Sequence, residues 1–399
     1  MRSTKDRVRF TRATPTVLAV AAMTLVWMVS VTLAARDGSD AAAAQQPASQ
    51  KLPMSEEAFK NVTVLKGIAV DDFMQTMGIM SASLGFDCQE CHVGAGTAEA
   101  RWELDTPRKR TARKMVEMVT AINRDNFSGR QVVTCWSCHR GRDRPVVMPS
   151  IDTVYAAPIL EVDDIFGQAP GMPTAESILD KYIQAVGGAQ KLAAFTGFSA
   201  RGTSLGFRGF GGGGEVEVYA KAPDQRATRV HYQDPDRGDI NRTFDGRAGW
   251  LATPLTVLPR YALTGGELDG AKLDAQLTFP GQIKQMLTGW RVGNPKTINK
   301  RSTLVVQGDG SRGLVATLYF DRETGLLTRF VRSARTPIGR APTQIDFADY
   351  RDVEGIKIPF RWTLGWLDGL DTYQLTDVKL NVPIDSAKFG QPPASEPKR

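Results

Sequence analysis

The sequence predicts a multidomain α + β protein. It has an N-terminal signal or anchor helix, a mainly α segment, and a C-terminal antiparallel β-meander, a curved sheet or half-barrel with a few helices. Three observations predict it. Val17 to Ala35 is a 19-residue stretch without a formal charge that follows a basic N-terminus. All four cysteines and two of the three histidines fall in two copies of one pattern, CQECH at 88–92 and CWSCH at 135–139. From about Thr174, helix-period patterning gives way to paired β-rich runs separated by turn residues.

The 17–35 stretch, as a helix, would run about 28 Å at 1.5 Å per residue, close to the hydrocarbon thickness of a bilayer. It reads as an export signal or an uncleaved anchor, with Ala41 to Ala44 offering small residues for cleavage. No cysteine lies near it to carry a lipid. Either way the preceding arginines stay in the cytoplasm and the rest is delivered to the periplasm, with residues 17–35 able to hold the chain at the inner membrane. The net charge of +7 loses most of its weight once Arg2, Lys5, Arg7, Arg9 and Arg12 against Asp6 are set aside as +4 of it. What remains points to no nucleic acid or other polyanion as partner.

Composition shifts divide the remainder. Residues 36–53 form a small, polar, alanine-rich linker. Residues 54–150 hold every cysteine, 151–173 continue a proline-rich passage that begins at Val146, 174–390 form the β-rich domain, and 391–399 a tail. In the cysteine segment, Phe73, Met77, Met80 and Leu84 recur on one helix face behind Asp71 and Asp72 and before Gly85, a C-cap residue. Thr106 and Pro107 open a second helix carrying Met115, Met118 and Ile122, which should run to about Asn126. Each half therefore repeats a Met-x-x-Met helix, a loop and Cys-x-x-Cys-His. In the last part, TAESILDKYIQAVGG reads as a helix closed by Gly187 and Gly188. EVEVYAKAPDQRATRVHYQ, NRTFDGRAGWLAT, LVATLYFDRETGLLTRFVRS and IDFADYRDVEGIKIPFRWTL read as hairpins. GQIKQMLTGW is the one helical interruption expected among them, and Phe207 to Gly214 is a glycine-rich turn without a helix start after it.

The repeated motif selects covalently attached heme c. Two cysteines three apart reach the two vinyl groups on one heme edge, and the next residue supplies the proximal imidazole. One zinc site built from two Cys-x-x-Cys pairs gives no reason for a histidine after each. A thioredoxin-like pair would occur once, after a strand, and structural disulfides leave His92 and His139 unexplained. Cys88, Cys91 and His92 would hold one heme and Cys135, Cys138 and His139 the other. His231, the remaining histidine, reads as an ordinary strand residue. The sixth ligand then falls to methionine, from Met77 or Met80 for the first heme and Met115 or Met118 for the second; the alternative use of these side chains is core filling. The basic cluster at 108–114 and Asp71 and Asp72 read as helix-end and solvated charges, with pairing of the arginines to heme propionates as an alternative.

These residues resemble a known family. LKGIAVDDFMQTMGIMSASLGFDCQECHV, RKMVEMVTAIN and VTCWSCHRG, over about residues 60–145, are similar to the cytochrome c subunit of photosynthetic reaction centres. The resemblance implies that the first methionine of each helix is the axial ligand, so that iron is held by His92 and Met77 and by His139 and Met115. It also implies electron relay from a redox donor protein to a photosynthetic reaction centre. Family members usually carry four heme motifs and often a lipidated cysteine; this chain has two motifs. The helix-then-meander pattern after Thr174 and its YRDVEGIKIP hairpin resemble the half-barrels of outer-membrane lipoprotein carriers. The expected function is electron transfer and not enzymatic catalysis. Two alternatives are a diheme peroxidase-like enzyme, which lacks a distal histidine here, and a C-terminal module that binds an apolar lipid or quinone ligand with redox input from the hemes.

Overall fold

Helical propensity in the cysteine segment is realised where the caps put it. The computed structural model describes residues 52–395 except 98, 146, 149–164, 166, 207–212, 233–237, 255 and 368. The signal or anchor stretch, almost all of the first linker and most of the glycine-rich run lie outside the described residues. Among the described residues no helix is long and apolar enough to cross a membrane. Within the compact unit Lys51–Arg399, α1 (Ser55–Ala58) precedes α2 (Val70–Leu84), which closes on Gly85 in the left-handed region at φ 67°. In α3 (Pro107–Phe127) the Thr106 side chain accepts from the Lys109 N–H and Pro107 sits in the first turn; the helix ends one residue past the expected Asn126. The second motif itself is a one-turn helix, α4 (Cys135–His139).

The β-rich part begins with α5 (Ala175–Ala185) and α6 (Ala189–Ala193), separated by Gly187 and Gly188, both at positive φ. Six strands follow: β1 (Gly197–Ser204), β2 (Gly214–Lys221), β3 (Gln225–Tyr232), β4 (Asp239–Phe244), β5 (Gly249–Ala252) and β6 (Arg260–Leu263). After α7 (Gly265–Gln276) come β7 (Thr288–Ile298), β8 (Arg301–Asp309), β9 (Val315–Asp321), β10 (Leu327–Thr336), β11 (Gly339–Val353), β12 (Ile356–Trp366) and β13 (Gly369–Leu380). The four expected hairpins are β2–β3, β4–β5, β9–β10 and β11–β12. All thirteen strands join one antiparallel sheet, in the order β6-β5-β4-β3-β2-β1-β13-β12-β11-β10-β9-β8-β7. It is two meanders welded by the pairing of β1 with β13, from Phe198 opposite Leu380 to Ser204 opposite Tyr373.

The helical interruption is displaced from its expected place. GQIKQMLTGW forms only a short 3-10 turn, Pro280–Gln285, and from Thr288 it is strand. The main helix is α7, whose Gly265, Gly266 and Gly270 disguise it in the sequence. Gly266 and Gly270 are there because the helix lies directly on β10: a Cβ at Gly266 would come within 2.4 Å of the Ala334 Cβ, and one at Gly270 within 2.3 Å of the Arg332 guanidinium.

The same helix shows that the sheet is strongly curved. Arg332 on β10 donates from Nη1 to Glu267 Oε1 at 2.9 Å, and Arg242 on β4 donates from Nη2 to Glu267 Oε2 at 3.1 Å. These strands are seven neighbour steps apart in the order, a separation of about 34 Å in a flat sheet. Two guanidinium groups can meet on one carboxylate only if the sheet curls around α7. The apolar core lies within that curl, with Phe198, Val230, Phe320 and Phe330 among its buried side chains.

Burial alone would raise the Glu267 carboxyl, but Arg332 and then Arg242 hold it down to about 2. Since the folded-state value lies below the ordinary 4.5, this contribution is present above that pH and is lost as pH falls toward 2. Removing one partner of a buried pair leaves an uncompensated charge. Glu267→Gln should therefore lower the free energy of unfolding in denaturant titrations at pH 7 by about 3–5 kcal/mol, with less further loss on acidification than the unaltered protein shows. A change within about 0.5 kcal/mol, the scatter of ordinary surface substitutions, would contradict the clamp.

Candidate functional site

The first motif is a tight turn with its histidine tucked beneath it. Cys88–Glu90 forms a single 3-10 turn capped by Asp87, whose Oδ1 accepts from the Gln89 N–H at 2.8 Å. The N–H groups of Cys91 and His92 both donate to the Cys88 carbonyl, at 3.3 and 2.9 Å. His92 is half-buried and its Nδ1–H donates to the Trp102 carbonyl at 3.3 Å. Lys109 Nζ donates to the same carbonyl at 2.8 Å and to Leu104 O at 2.9 Å, while Thr106 Oγ1 donates to Cys91 O at 3.0 Å. Arg108 pairs with Glu90, and Arg113 with Asp105 at 2.7 Å. The basic first turns of α3 thus grip the loop that carries the first motif, a role the sequence reading of solvated charges missed. Burial, and then the Lys109 charge, hold His92 below the usual imidazole range, so it is neutral and a competent ligand.

The second motif is built differently but ends alike. Thr134 caps α4, its Oγ1 accepting from the Ser137 N–H at 3.3 Å. His139 Nδ1–H donates to the Arg142 carbonyl at 2.9 Å. Arg140 and Gly141 make this contact by turning through the left-handed region, at φ 50° and 81°, so Cys-His-Arg-Gly is a structural turn as well as a motif. In both units the Nδ1 proton is committed to a backbone carbonyl, which leaves the Nε2 lone pair for a metal.

Met77, Met80, Cys88, Cys91 and His92 all line one cavity of about 1560 Å³. It exceeds the roughly 300–1,000 Å³ of ordinary ligand pockets. Met115, Cys135, Cys138 and His139 do not line it. In the second unit Cys138 is exposed, as Cys88 is in the first; Cys135 packs among Ile79, Val116 and Ile338, and Trp136 and Met118 are 49% and 43% exposed. None of the four cysteines is joined to another in a disulfide, and burial pushes the thiols of Cys91 and Cys135 up. Among the described residues no group of three or more His, Cys, Asp or Glu converges as a metal site. Two thiols, an imidazole nitrogen and a thioether around one cavity fit a covalently held heme. His231 sits on β3, its Nδ1 2.9 Å from Asp239 Oδ2.

α2 joins the two units and docks them on the sheet. A Cβ at Gly85 would lie 2.5 Å from the Gly141 carbonyl, and Gly141 N–H donates to Ser83 O at 2.8 Å, so the end of α2 touches the turn after the second motif. At its other end Asp71, which the sequence reading left as a helix-end charge, is 2% exposed and accepts from both the N–H and the Oγ1 of Thr264 at the start of α7.

Residues 20–154 match the family model of the photosynthetic reaction centre cytochrome C subunit. Over 97 residues the chain is 35% identical to the photosynthetic reaction center cytochrome c subunit of Thermochromatium tepidum, an overlap of 23% of each protein. The chain thus spans about a quarter of the length of that curated relative. Solved structures cover about half of the chain at low similarity. A LolA superfamily protein from Nitrosomonas europaea is 15% identical with a TM-score of 0.37, covering 55% of this chain and 99% of that one. A DUF1329 family protein from Desulfovibrio piger is 10% identical with a TM-score of 0.38, covering 55% and 98%.

The buried Asp71 contact makes the docking of α2 sensitive to pH. Burial raises its carboxyl from 3.8 to about 6 against the pull of the two Thr264 hydrogen bonds, and Asp72 and Glu267 add to the rise. The folded state therefore holds a proton that the unfolded chain has released, and the contribution present below 3.8 is lost as pH rises through 6, on the order of 3 kcal/mol at most. The difference in thermal midpoint between the unaltered protein and Asp71→Asn should shift in favour of the variant as pH rises from 4 to 6. A difference that stays constant across that window would refute the assignment.

Proposed function

We propose that the chain is a diheme c-type cytochrome that carries electrons on the periplasmic side of the inner membrane, held there or released by residues 17–35. The observation that carries this reading is the shared second-sphere contact: in two motifs of different backbone form, the histidine Nδ1–H donates to a carbonyl and presents Nε2. Cys88 and Cys91 would tether one heme with His92 and Met77 as axial ligands, and Cys135 and Cys138 the other with His139 and Met115. Met77 lies on the cavity wall shared with His92, and Met115 is half-buried on α3. Heme c bound at these residues supplies a one-electron iron couple, whose potential a thioether ligand raises. The chain's own part is to fix the ligands before the electron arrives. Lys109, Thr106 and the Trp102 carbonyl immobilise the first loop, and the α2–α4 contact at Gly85 and Gly141 immobilises the second. The match over residues 20–154 supports a photosynthetic reaction centre as the electron acceptor.

Met77→Ala and Met115→Ala should each abolish the sulfur-to-iron charge-transfer absorption of one ferric heme and leave the other intact. The double variant should lose both and bind cyanide readily at both irons. A single variant with full six-coordinate spectra would overturn the ligand assigned there, and rapid cyanide binding by the unaltered protein would favour a peroxidase-like enzyme instead.

A further inference from the structure

α2 presents two different faces to the interior. Asp71, Gln75 and Gly78 fall at i, i+4 and i+7 and share one face. That face meets the sheet: Asp71 binds Thr264, and a Cβ at Gly78 would come within 3.0 Å of both Trp366 and Leu367. Gln75, between them, is 3% exposed, and neither its Nε2 nor its Oε1 has a hydrogen-bond partner. A buried amide with both ends unmatched is rare in folded proteins and needs a reason. Met77, two residues on, is about 200° round the helix, so thioether and amide point to opposite sides.

The cavity that holds the first motif continues into the sheet on the Gln75 side, where Phe198, Val230, Trp362, Leu364, Trp366 and Tyr373 line it. Trp362 and Tyr373 stack nearly parallel, with centroids 5.2 Å apart and planes 17° apart, a surface suited to a flat ring. Among the charged groups on this wall, Arg242, Glu267 and Asp274 are paired with one another, and Arg226 donates to the Thr278 hydroxyl.

We propose that this chamber binds a neutral molecule of the quinone class, preferentially as the quinol, with an apolar tail along the aromatic wall. The Gln75 amide is closed off from the open space of the chamber, so the guest is admitted by a turn of this side chain, after which Nε2–H donates to one ring oxygen and Oε1 accepts from a ring hydroxyl. A fatty acid or ester offers acceptors only at neutral pH and leaves Oε1 unmatched. The choice of a redox-active ring rests on the heme reading, because only the width of α2, about 10 Å, separates the chamber from Met77. The binding itself does not depend on it.

Calorimetric titration of the full-length protein tests this, with decylubiquinol and oleate added to the reduced protein and decylubiquinone to the oxidised protein, so that each quinone form meets a partner that cannot exchange electrons with it. Saturable one-to-one binding of decylubiquinol, tighter than that of decylubiquinone or oleate, is expected. Gln75→Leu, of similar volume but without the amide, should weaken decylubiquinol binding tenfold or more with oleate unaffected, and Gln75→Asn, which withdraws the amide by one methylene, should weaken it less. Absence of saturable decylubiquinol binding, equal binding by Gln75→Leu with native circular dichroism, or tighter oleate binding would overturn the proposal. Heme content measured on the same samples separates the two readings. A colourless protein with Gln75-dependent binding refutes the hemes alone, and a fully loaded protein that binds no decylubiquinol refutes the chamber alone.

Discussion

One buried carboxylate sets the form of this molecule. Glu267 receives Arg242 from one arm of the sheet and Arg332 from the other, and thirteen strands that could lie as an open ribbon are drawn around a single helix. Arg332 is among the largest side chains with essentially no exposure, so its charge has no recourse to water. Burial disfavours the guanidinium, and Glu267 followed by Asp274 restores it and holds its pKa above the ordinary value. Such an arrangement is expensive in desolvation and gains little net stability over an apolar core of the same volume. What it supplies here is geometry: the curl leaves a cavity where an unclamped sheet would offer a flat face.

The cysteine segment exploits that geometry through α2. Its C-terminal end abuts the turn after the second motif, its N-terminal end is fixed to the start of α7 through Asp71, and at Gly78 it presses on the end of β12. Each close approach needs a residue without a large side chain or a carboxyl that tolerates burial. The helix therefore runs along one continuous cavity, lined in one part by the first motif's thiols, imidazole and thioether and in another by the aromatic face of the sheet. Under the two proposals above, a heme and an apolar guest would lie on either side of one helix, which is a physical argument for coupling between the two halves of the chain.

Much of this was legible in the sequence where the signal is local. The paired motifs, the Gly85 and Thr106 caps, and the hairpins around Pro-Asp, Asp-Gly, Glu-Thr-Gly and Glu-Gly each declare themselves within a few residues. What was not legible depends on partners far away in the chain. α7 was missed because its Gly266 and Gly270 answer to Ala334 and Arg332 on β10, more than sixty residues later, and so read as helix breakers. Asp71 looked like a helix-end charge because Thr264 cannot be inferred from residue 71. The carbonyls that orient His92 and His139 carry no side-chain signature, although the Arg140-Gly141 pair marks one of the two turns. Gln75 gave no signal, since an unmatched amide is visible only once its neighbours are known.

Intact mass spectrometry of the purified chain tests the central claim most directly. Two covalent hemes predict a mass above that of the polypeptide by two porphyrin groups that survive acidic acetone extraction, with all four cysteines refractory to alkylation after denaturation. The bare polypeptide mass, with four thiols that alkylate freely, would contradict the account.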